Sequence, residues 1–185
     1  MLEACETAKS SFQVLRDVST GIKHWYAVQT VPRHEKKVGQ QLGMDGLDIF
    51  VPAISKESKW SDRTKIVEQP LFPGYIFLLS GDIQNHRKFL HKNRSVLRIL
   101  SNGTAPAEIP PSEIESIRHV VQARAIASPA SYLSLGQRIR ILNGALRGLE
   151  GILLRVAGEN KLIVSVSLIQ RSVSISIEGY EIEAL

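Results

Sequence analysis

The side chains that could do chemistry lie in residues 23–98, and they are cationic and aromatic rather than nucleophilic. This segment holds 13 Lys and Arg against 7 Asp and Glu, whereas residues 99–185 hold 8 of each, so it carries the whole positive excess of a +5 chain. It also holds 8 of the 11 aromatic residues. Basic residues interleaved with aromatic rings are typical of nucleic-acid binding. The alternative is a domain whose rings form the core and whose lysines are only solvated.

Catalytic and metal-binding patterns are absent from the sequence. The five histidines are scattered, and no H-E-x-x-H, phosphate-binding glycine loop or C-x-x-C occurs. Cys5 is the single cysteine, which excludes an intramolecular disulfide. We therefore predict that the chain is not an enzyme and holds no metal or cofactor. The acidic N-terminus lacks a signal-like apolar stretch, and no apolar run approaches the ~18 residues of a membrane span, so we expect a cytoplasmic protein without a membrane contact.

The elements that must position these residues follow a β-α-β-β-α-β order with a closing helix. Strands are predicted at 23–30, 49–54, 75–79 and 96–100, and the nearly continuous apolar run at 75–79 predicts a central strand. Helices are predicted from Pro32, over 82–91, and after Pro110, where Ser112 and Glu115 match a capping box. The order is that of a ferredoxin-like α/β sandwich, which makes the fold class α+β.

The C-terminal part of the sequence has a different pattern of apolar and polar residues. Apolar and polar residues alternate with period two at 138–141, 163–168 and 173–177, which predicts strands with one buried face. Five short strands in about 50 residues indicate a small β-barrel. We therefore predict four segments: a flexible extension (1–22), the sandwich domain (23–123), a linker of small and polar residues (124–134) and the barrel (135–185).

Two stretches of the sequence resemble a known family. Residues 138–152 (RIRILNGALRGLEGI) look like a KOW motif, an alternating strand followed by spaced glycines and a second strand. The front domain combines Trp25-Tyr26, Phe50-Val51-Pro52 and Phe72-Pro73-Gly74-Tyr75 in the order of the NusG N-terminal (NGN) domain. Over residues 23–185 the chain thus resembles the NusG family. The resemblance implies an NGN domain followed by an SH3-like KOW barrel, in a bacterial transcription elongation and antitermination factor.

The resemblance also implies a docking surface for RNA polymerase. In the family, a hydrophobic depression of the front domain binds the clamp helices of the largest catalytic subunit. The matching positions are Tyr26, Phe50, Phe72, Pro73 and Tyr75. We expect Tyr26 and Phe72 to be exposed, although some of these rings have an alternative role as core.

A second implied contact joins the start of the second helix to the opposite polymerase lobe. It matches His86, Arg87 and Lys88, where basic side chains replace the threonine pair of antitermination paralogues. A DNA contact is therefore an equal alternative. Further basic residues could follow non-template or upstream DNA through phosphate contacts. These are Arg33, Lys36, Lys37, Lys56, Lys59, Arg63, Lys65 and Arg94. For each, a solvated surface charge is the alternative.

The KOW barrel of the family recruits a small-subunit ribosomal protein or the termination factor Rho. The matching residues lie in two loops: Leu146, Leu149, Leu168, Ile169 and Arg171. Apolar residues at loop tips are costly unless covered, which favours an interface. The alternative is that Leu149 and Leu168 cap the barrel core.

The sequence also bears on the paralogue class, the fold of the KOW segment and a competing function. The N-terminal extension and the Pro32–Lys37 helix are more similar to specialised paralogues than to the general factor. Some such paralogues fold the KOW segment as helices, but the Val, Ile and Ser alternation here predicts strands, so isolated residues 130–185 should give a β-type circular dichroism spectrum. The competing function is a ribosome-associated RNA-binding KOW protein, which the near-neutral barrel disfavours. We expect a monomer.

Overall fold

The computed structural model describes residues 22–59, 64–131, 136–156 and 159–185. The chain forms two units: the first contains residues 1–51 and 73–108, the second 52–72 and 109–185. Trp60, Arg63 and all but the last residue of the predicted extension lie outside the described residues. The division differs from the predicted boundary near residue 123, because the third helix and a hairpin group with the C-terminal strands. No helix among the described residues is both long and apolar enough to cross a membrane.

The first unit is built on an antiparallel sheet with the strand order β2-β5-β1-β6. Its strands are β1 (His24–Thr30), β2 (Asp48–Phe50), β5 (Tyr75–Ser80) and β6 (Val96–Ile99). The apolar run YIFLLS becomes the central β5, with Ile76, Phe77 and Leu78 fully buried. It pairs with β1 in the register Val28↔Ile76 and with β2 in the register Phe50↔Phe77. The predicted central strand is confirmed.

Two helices complete the core of the first unit. Helix α1 (Glu35–Met44) buries Val38 and Leu42, and helix α2 (Ile83–Lys92) buries Leu90. These side chains pack with Val28, Ile76 and Leu78 of the sheet. Helix α1 begins three residues later than predicted, because Arg33 takes a left-handed conformation (φ 69°) that interrupts the helix after Pro32. After β6 the unit continues through three short strands, β7 (Ser101–Asn102), β8 (Ala105–Pro106) and the start of β9 (Glu108–Ile109).

The second unit contains a two-stranded hairpin, a helix and a six-stranded antiparallel sheet. The hairpin pairs β3 (Ala53–Lys59) with β4 (Thr64–Pro70). Helix α3 (Pro111–Gln122) packs against strand β13 (Glu159–Val166) of the sheet. The predicted capping box is wrong: Pro110 is the N-cap residue, so Ser112 lies inside the first turn, and Glu115 instead faces Arg118 at 3.7 Å. The buried face of α3 is Ile114, Ile117 and Val120.

The sheet of the second unit has the strand order β10-β14-β13-β12-β11-β15. Its strands are β10 (Ala127–Ser131), β11 (Gln137–Ile141), β12 (Glu150–Val156), β13 (Glu159–Val166), β14 (Arg171–Ser176) and β15 (Ile182–Ala184). The period-two alternation is confirmed in β11, where Ile139 and Ile141 are buried, and in β14, where Val173 and Ile175 are buried. In β13 three successive residues, 162–164, are buried, and residues 167–169 form a 3-10 helix after the strand. The linker prediction is wrong for residues 127–131, which pair with β14. Together the described residues of the two units confirm a mixed α/β fold with three α-helices and many antiparallel strands.

Candidate functional site

An open groove of about 490 Å³ lies in the first unit between α1 and the end of α2. Helix α1 contributes Lys37, Gln41 and Met44, and Asp45 follows at its C-terminal end. The other wall is formed by Phe89, Lys92, Asn93, Arg94 and Ser95. The side chain of Asn93 ties the walls together, because its Nδ2 donates to Gln41 Oε1 at 2.9 Å. Its Oδ1 accepts from the Ser95 backbone N–H at 3.0 Å. A hydrogen bond between two amide side chains therefore links the two walls of the groove.

The groove carries three cations against one carboxylate. Lys37, Lys92 and Arg94 are all exposed, and Asp45 is the acidic lining residue. Within the described residues none of the three cations forms an ion pair, so their charge is not neutralised by the protein. Lys92 Nζ lies 5.0 Å from the centroid of the half-buried Phe89 ring, a cation–π contact beside the groove. The arrangement suits an anionic ligand such as the phosphate backbone of a nucleic acid.

Of the basic residues predicted to face nucleic acid, the structure brings Lys37 and Arg94 into this groove. Lys36 is exposed on the same helix, and Arg33 is exposed in the turn before it. Lys56, Lys59 and Lys65 belong to the β3–β4 hairpin of the second unit, and Arg63 is outside the described residues. The sequence reasoning missed Lys92, Asn93, Gln41 and Phe89. The run His91-Lys92-Asn93-Arg94 was a visible signal for the first two.

The predicted lobe or DNA triplet divides into inward and outward residues. His86 is partly buried, and its Nδ1 shares a 2.8 Å hydrogen bond with Ser80 Oγ, which also accepts from the Asp82 backbone N–H. Burial lowers the pKa of His86, although the carboxylates of Asp82 and Asp48 oppose this shift. Arg87 and Lys88 are exposed, and Arg87 Nε donates to His91 Nε2 at 3.3 Å. The outer face of α2 is therefore basic, while His86 holds the helix start to β5.

The aromatic residues of the first unit form a cluster with a partly exposed edge. The rings of Trp25 and Phe50 meet edge to face at 6.4 Å between centroids, and Phe50 lies 6.2 Å from Phe77. Phe50 and Tyr75 are half-buried and Pro73 is exposed. These three residues are the accessible members of the predicted docking set.

The expectation that Tyr26 and Phe72 are exposed is wrong. Tyr26 is 6% exposed, and its hydroxyl donates to Glu108 Oε1 at 3.5 Å, while His24 Nδ1 lies 2.9 Å from the other carboxylate oxygen. Burial raises the pKa of Tyr26, and the charge of Glu108 adds to this shift. Phe72, in the second unit, is 1% exposed. The two rings act as core in this structure, which is the alternative that the sequence left open.

The loops predicted to bind partners also turn their apolar residues inward. Leu146, Leu149 and Ile169 are buried, Leu168 is half-buried and Arg171 is exposed. The first loop needs Gly144 at φ 69°, where a Cβ would lie 2.8 Å from Tyr180 Cε1. Its turn places Leu146 in the core, and of the apolar residues predicted at the loop tips Leu168 alone is partly accessible.

Helix α3 contacts both of these loops. Glu113 accepts hydrogen bonds from Ser167 N (3.1 Å) and Ser167 Oγ (2.8 Å), and His119 Nε2 lies 2.8 Å from the Ala145 carbonyl oxygen. One end of α3 is thus tied to the loop after β13, and the other to the loop after β11. The loops are ordered by polar contacts as well as by their buried leucines.

Comparisons with known proteins agree with the motifs. Residues 23–118 match the NusG family model, described as transcription termination factor nusG. The chain is 27% identical over 179 residues to the transcription termination/antitermination protein NusG of Helicobacter pylori, covering 87% of this chain and 98% of that protein. It is 25% identical over 189 residues to the protein of the same name in Rickettsia conorii, covering 96% and 98%.

The fold is similar to that of a solved NusG structure from Thermotoga maritima. The TM-score is 0.57 at 19% identity, over 89% of this chain and 98% of that chain. At this identity the likeness supports the fold alone. The family model, however, spans more than half of the sequence. The chain therefore belongs to the NusG family.

Proposed function

We propose that this protein is a cytoplasmic transcription elongation factor that binds RNA polymerase through its N-terminal domain and modulates pausing and termination. The observation that carries this proposal is the match of nearly the whole chain to proteins named for transcription termination and antitermination, at 86–96% coverage of this chain. Two features of the first unit support it: an accessible edge of an aromatic cluster and a cationic groove.

The docking surface for the polymerase clamp helices centres on Pro73, Tyr75 and Phe50. Pro73 is exposed, and the other two rings are half-buried, so each offers apolar area while being held by the protein. Helices dock well on such surfaces, because a partly fixed ring loses little conformational freedom when it binds. Tyr26 supports this surface from within the sheet rather than contacting the polymerase directly.

The groove of Lys37, Lys92 and Arg94 is proposed to hold the non-template or upstream DNA. Its three cations form no ion pair within the described residues and supply phosphate contacts. The outer face of α2, with Arg87 and Lys88, extends the cationic surface. Because His86 is turned toward Ser80, we favour DNA over the polymerase lobe as the partner of this helix.

The second unit is proposed to recruit a small-subunit ribosomal protein or Rho. Leu168 and Arg171 are the members of the predicted partner set that reach solvent. Both follow β13, next to the Ser167–Glu113 hydrogen bonds. A partner that needs Leu146 or Leu149 would have to displace them from the core.

The proposal is tested by co-purification of the tagged protein with core RNA polymerase. Tyr75→Asp and Pro73→Asp should each weaken the complex by about 2 kcal/mol, or ~30-fold in Kd, as expected when an anchor at the centre of an interface is lost. Leu97→Asp is the matched control, since Leu97 is a 53% exposed apolar residue of the same unit. Binding to ribosomal RNA without binding to polymerase would contradict the proposal and favour the ribosome-associated alternative.

A further inference from the structure

A buried carboxylate in the first unit has no part in the docking surface or the groove. Glu35, the first residue of α1, is 3% exposed. A buried carboxylate is costly unless hydrogen bonds replace its water. Here Oε1 accepts from the backbone N–H of Gly74 at 2.6 Å and from that of Arg33 at 3.1 Å. One oxygen thus joins two backbone segments, and Gly74 lies 39 residues from Glu35 along the chain.

The first of these segments is the turn that carries Pro73 and Tyr75. Gly74 has φ 82°, a conformation that residues with a Cβ rarely adopt. Its N–H is held by Glu35 and its carbonyl oxygen accepts from the Thr30 N–H at 2.8 Å. Both polar groups of the residue between Pro73 and Tyr75 are therefore fixed, one of them by a charge-assisted hydrogen bond.

The second segment is the turn between β1 and α1. Arg33 has φ 69°, which is strained for a residue other than glycine. Its N–H points at the Glu35 carboxylate, and the His34 N–H donates to the Val31 carbonyl oxygen at 3.1 Å. The carboxylate thus also stabilises the conformation that delays the start of α1, which brings Glu35 beneath Gly74.

We propose that Glu35 is a positioning residue for polymerase binding: it fixes the Pro73-Gly74-Tyr75 turn in the conformation that the polymerase recognises. This inference rests on the proposed function for its partner. The arrangement of the turn itself is a property of the free protein and is tested separately. A turn that is fixed before binding loses less conformational freedom when the complex forms. Removal of the Glu35 hydrogen bonds should therefore weaken polymerase binding even under conditions in which the variant is fully folded.

The test compares Glu35→Ala and Glu35→Gln with Val38→Ala. Glutamine keeps an oxygen at the Oε1 position and can accept from both N–H groups, so it should restore the turn. Val38 is fully buried one turn along the same helix and lies outside the Gly74 turn, so its truncation is a control for stability alone. Each variant is first unfolded in urea, and the later measurements use conditions in which all are folded.

Two readouts follow, the hydrogen exchange of the Gly74 amide in the free protein and the Kd for core polymerase. In Glu35→Ala the amide should exchange at least about tenfold faster, and the Kd should rise at least about tenfold. Glu35→Gln should stay within about threefold of the wild type in both, and Val38→Ala should leave both unchanged within the same margin. Unchanged Gly74 exchange and polymerase affinity in folded Glu35→Ala would overturn the inference. If the wild type does not bind polymerase, the proposed function fails, whereas the exchange data still decide whether Glu35 fixes the turn.

Discussion

The cationic groove makes a quantitative prediction for the salt dependence of DNA binding. If Lys37, Lys92 and Arg94 each neutralise one phosphate of a single strand, the slope of log K against log salt is about −0.7 per contact, or about −2.1 in total. Between 50 and 200 mM salt the affinity should then fall by about 20-fold. Removal of one contact should reduce the slope to about −1.4 and the fall to about sevenfold.

The perturbation is Arg94→Gln, which removes the charge and keeps a polar side chain at the rim. Fluorescence anisotropy with a labelled single-stranded 12-nucleotide probe measures Kd at several salt concentrations. Arg147→Gln is the matched control, because Arg147 is exposed in the second unit, outside the groove. An Arg94→Gln variant that binds more weakly with an unchanged slope would refute phosphate contact by this side chain. An equal change of slope in the control would refute the assignment of binding to the groove.

Three further predictions concern the fold that positions the site. Burial lowers the pKa of His86 below its usual 6.5. As the pH falls below about 6.5, the unfolded state therefore binds a proton before the folded state does, and the free energy of unfolding should decrease. In urea unfolding, the free energy of unfolding of His86→Gln should depend less on pH. Gly39→Ala should destabilise the protein, because the added Cβ would lie 2.5 Å from Val51 Cγ2. Gly43→Ala should stabilise α1 by about 0.5–1 kcal/mol, because no atom lies within 4 Å of the position of its Cβ. Thermal melts that rank the two variants in the opposite order would contradict the packing. A fragment of residues 124–185 should give a β-type circular dichroism spectrum with a cooperative melt, and a helical spectrum would contradict the sheet.

The strands and helices were largely predictable because hydrophobic pattern determines them locally. The run Tyr75–Leu79 is short and rich in aromatic residues, which favours a buried strand, and the alternation at 173–177 predicts a strand with one apolar face. β10 was missed because its sequence, ASPAS, has little strand preference of its own. It becomes a strand by pairing with the edge of β14, which is a tertiary effect.

The site was predictable in its residue types but not in its exposure. The motifs located Tyr26 and Phe72, yet burial depends on what packs over a ring, and no local pattern reports that. His86 was assigned to a polymerase-lobe or DNA contact because it matches the position of that contact in the family. Its hydrogen bond to Ser80 depends on how the chain turns from β5 into α2, and residue spacing alone does not define that turn. No sequence pattern singled out Glu35, because its long-range partner is a backbone N–H group, that of Gly74.

The central claim is that this chain acts on transcribing RNA polymerase through the Pro73–Tyr75 surface. Its most direct test is single-round elongation by purified core polymerase on a template with a defined pause, with measurement of the pause lifetime. We expect the wild type to change this lifetime, Leu97→Asp to act as the wild type does, and Tyr75→Asp to have no effect at the same concentration. A wild-type protein that leaves the pause lifetime equal to that in buffer, or a Tyr75→Asp variant as active as the wild type, would contradict the claim.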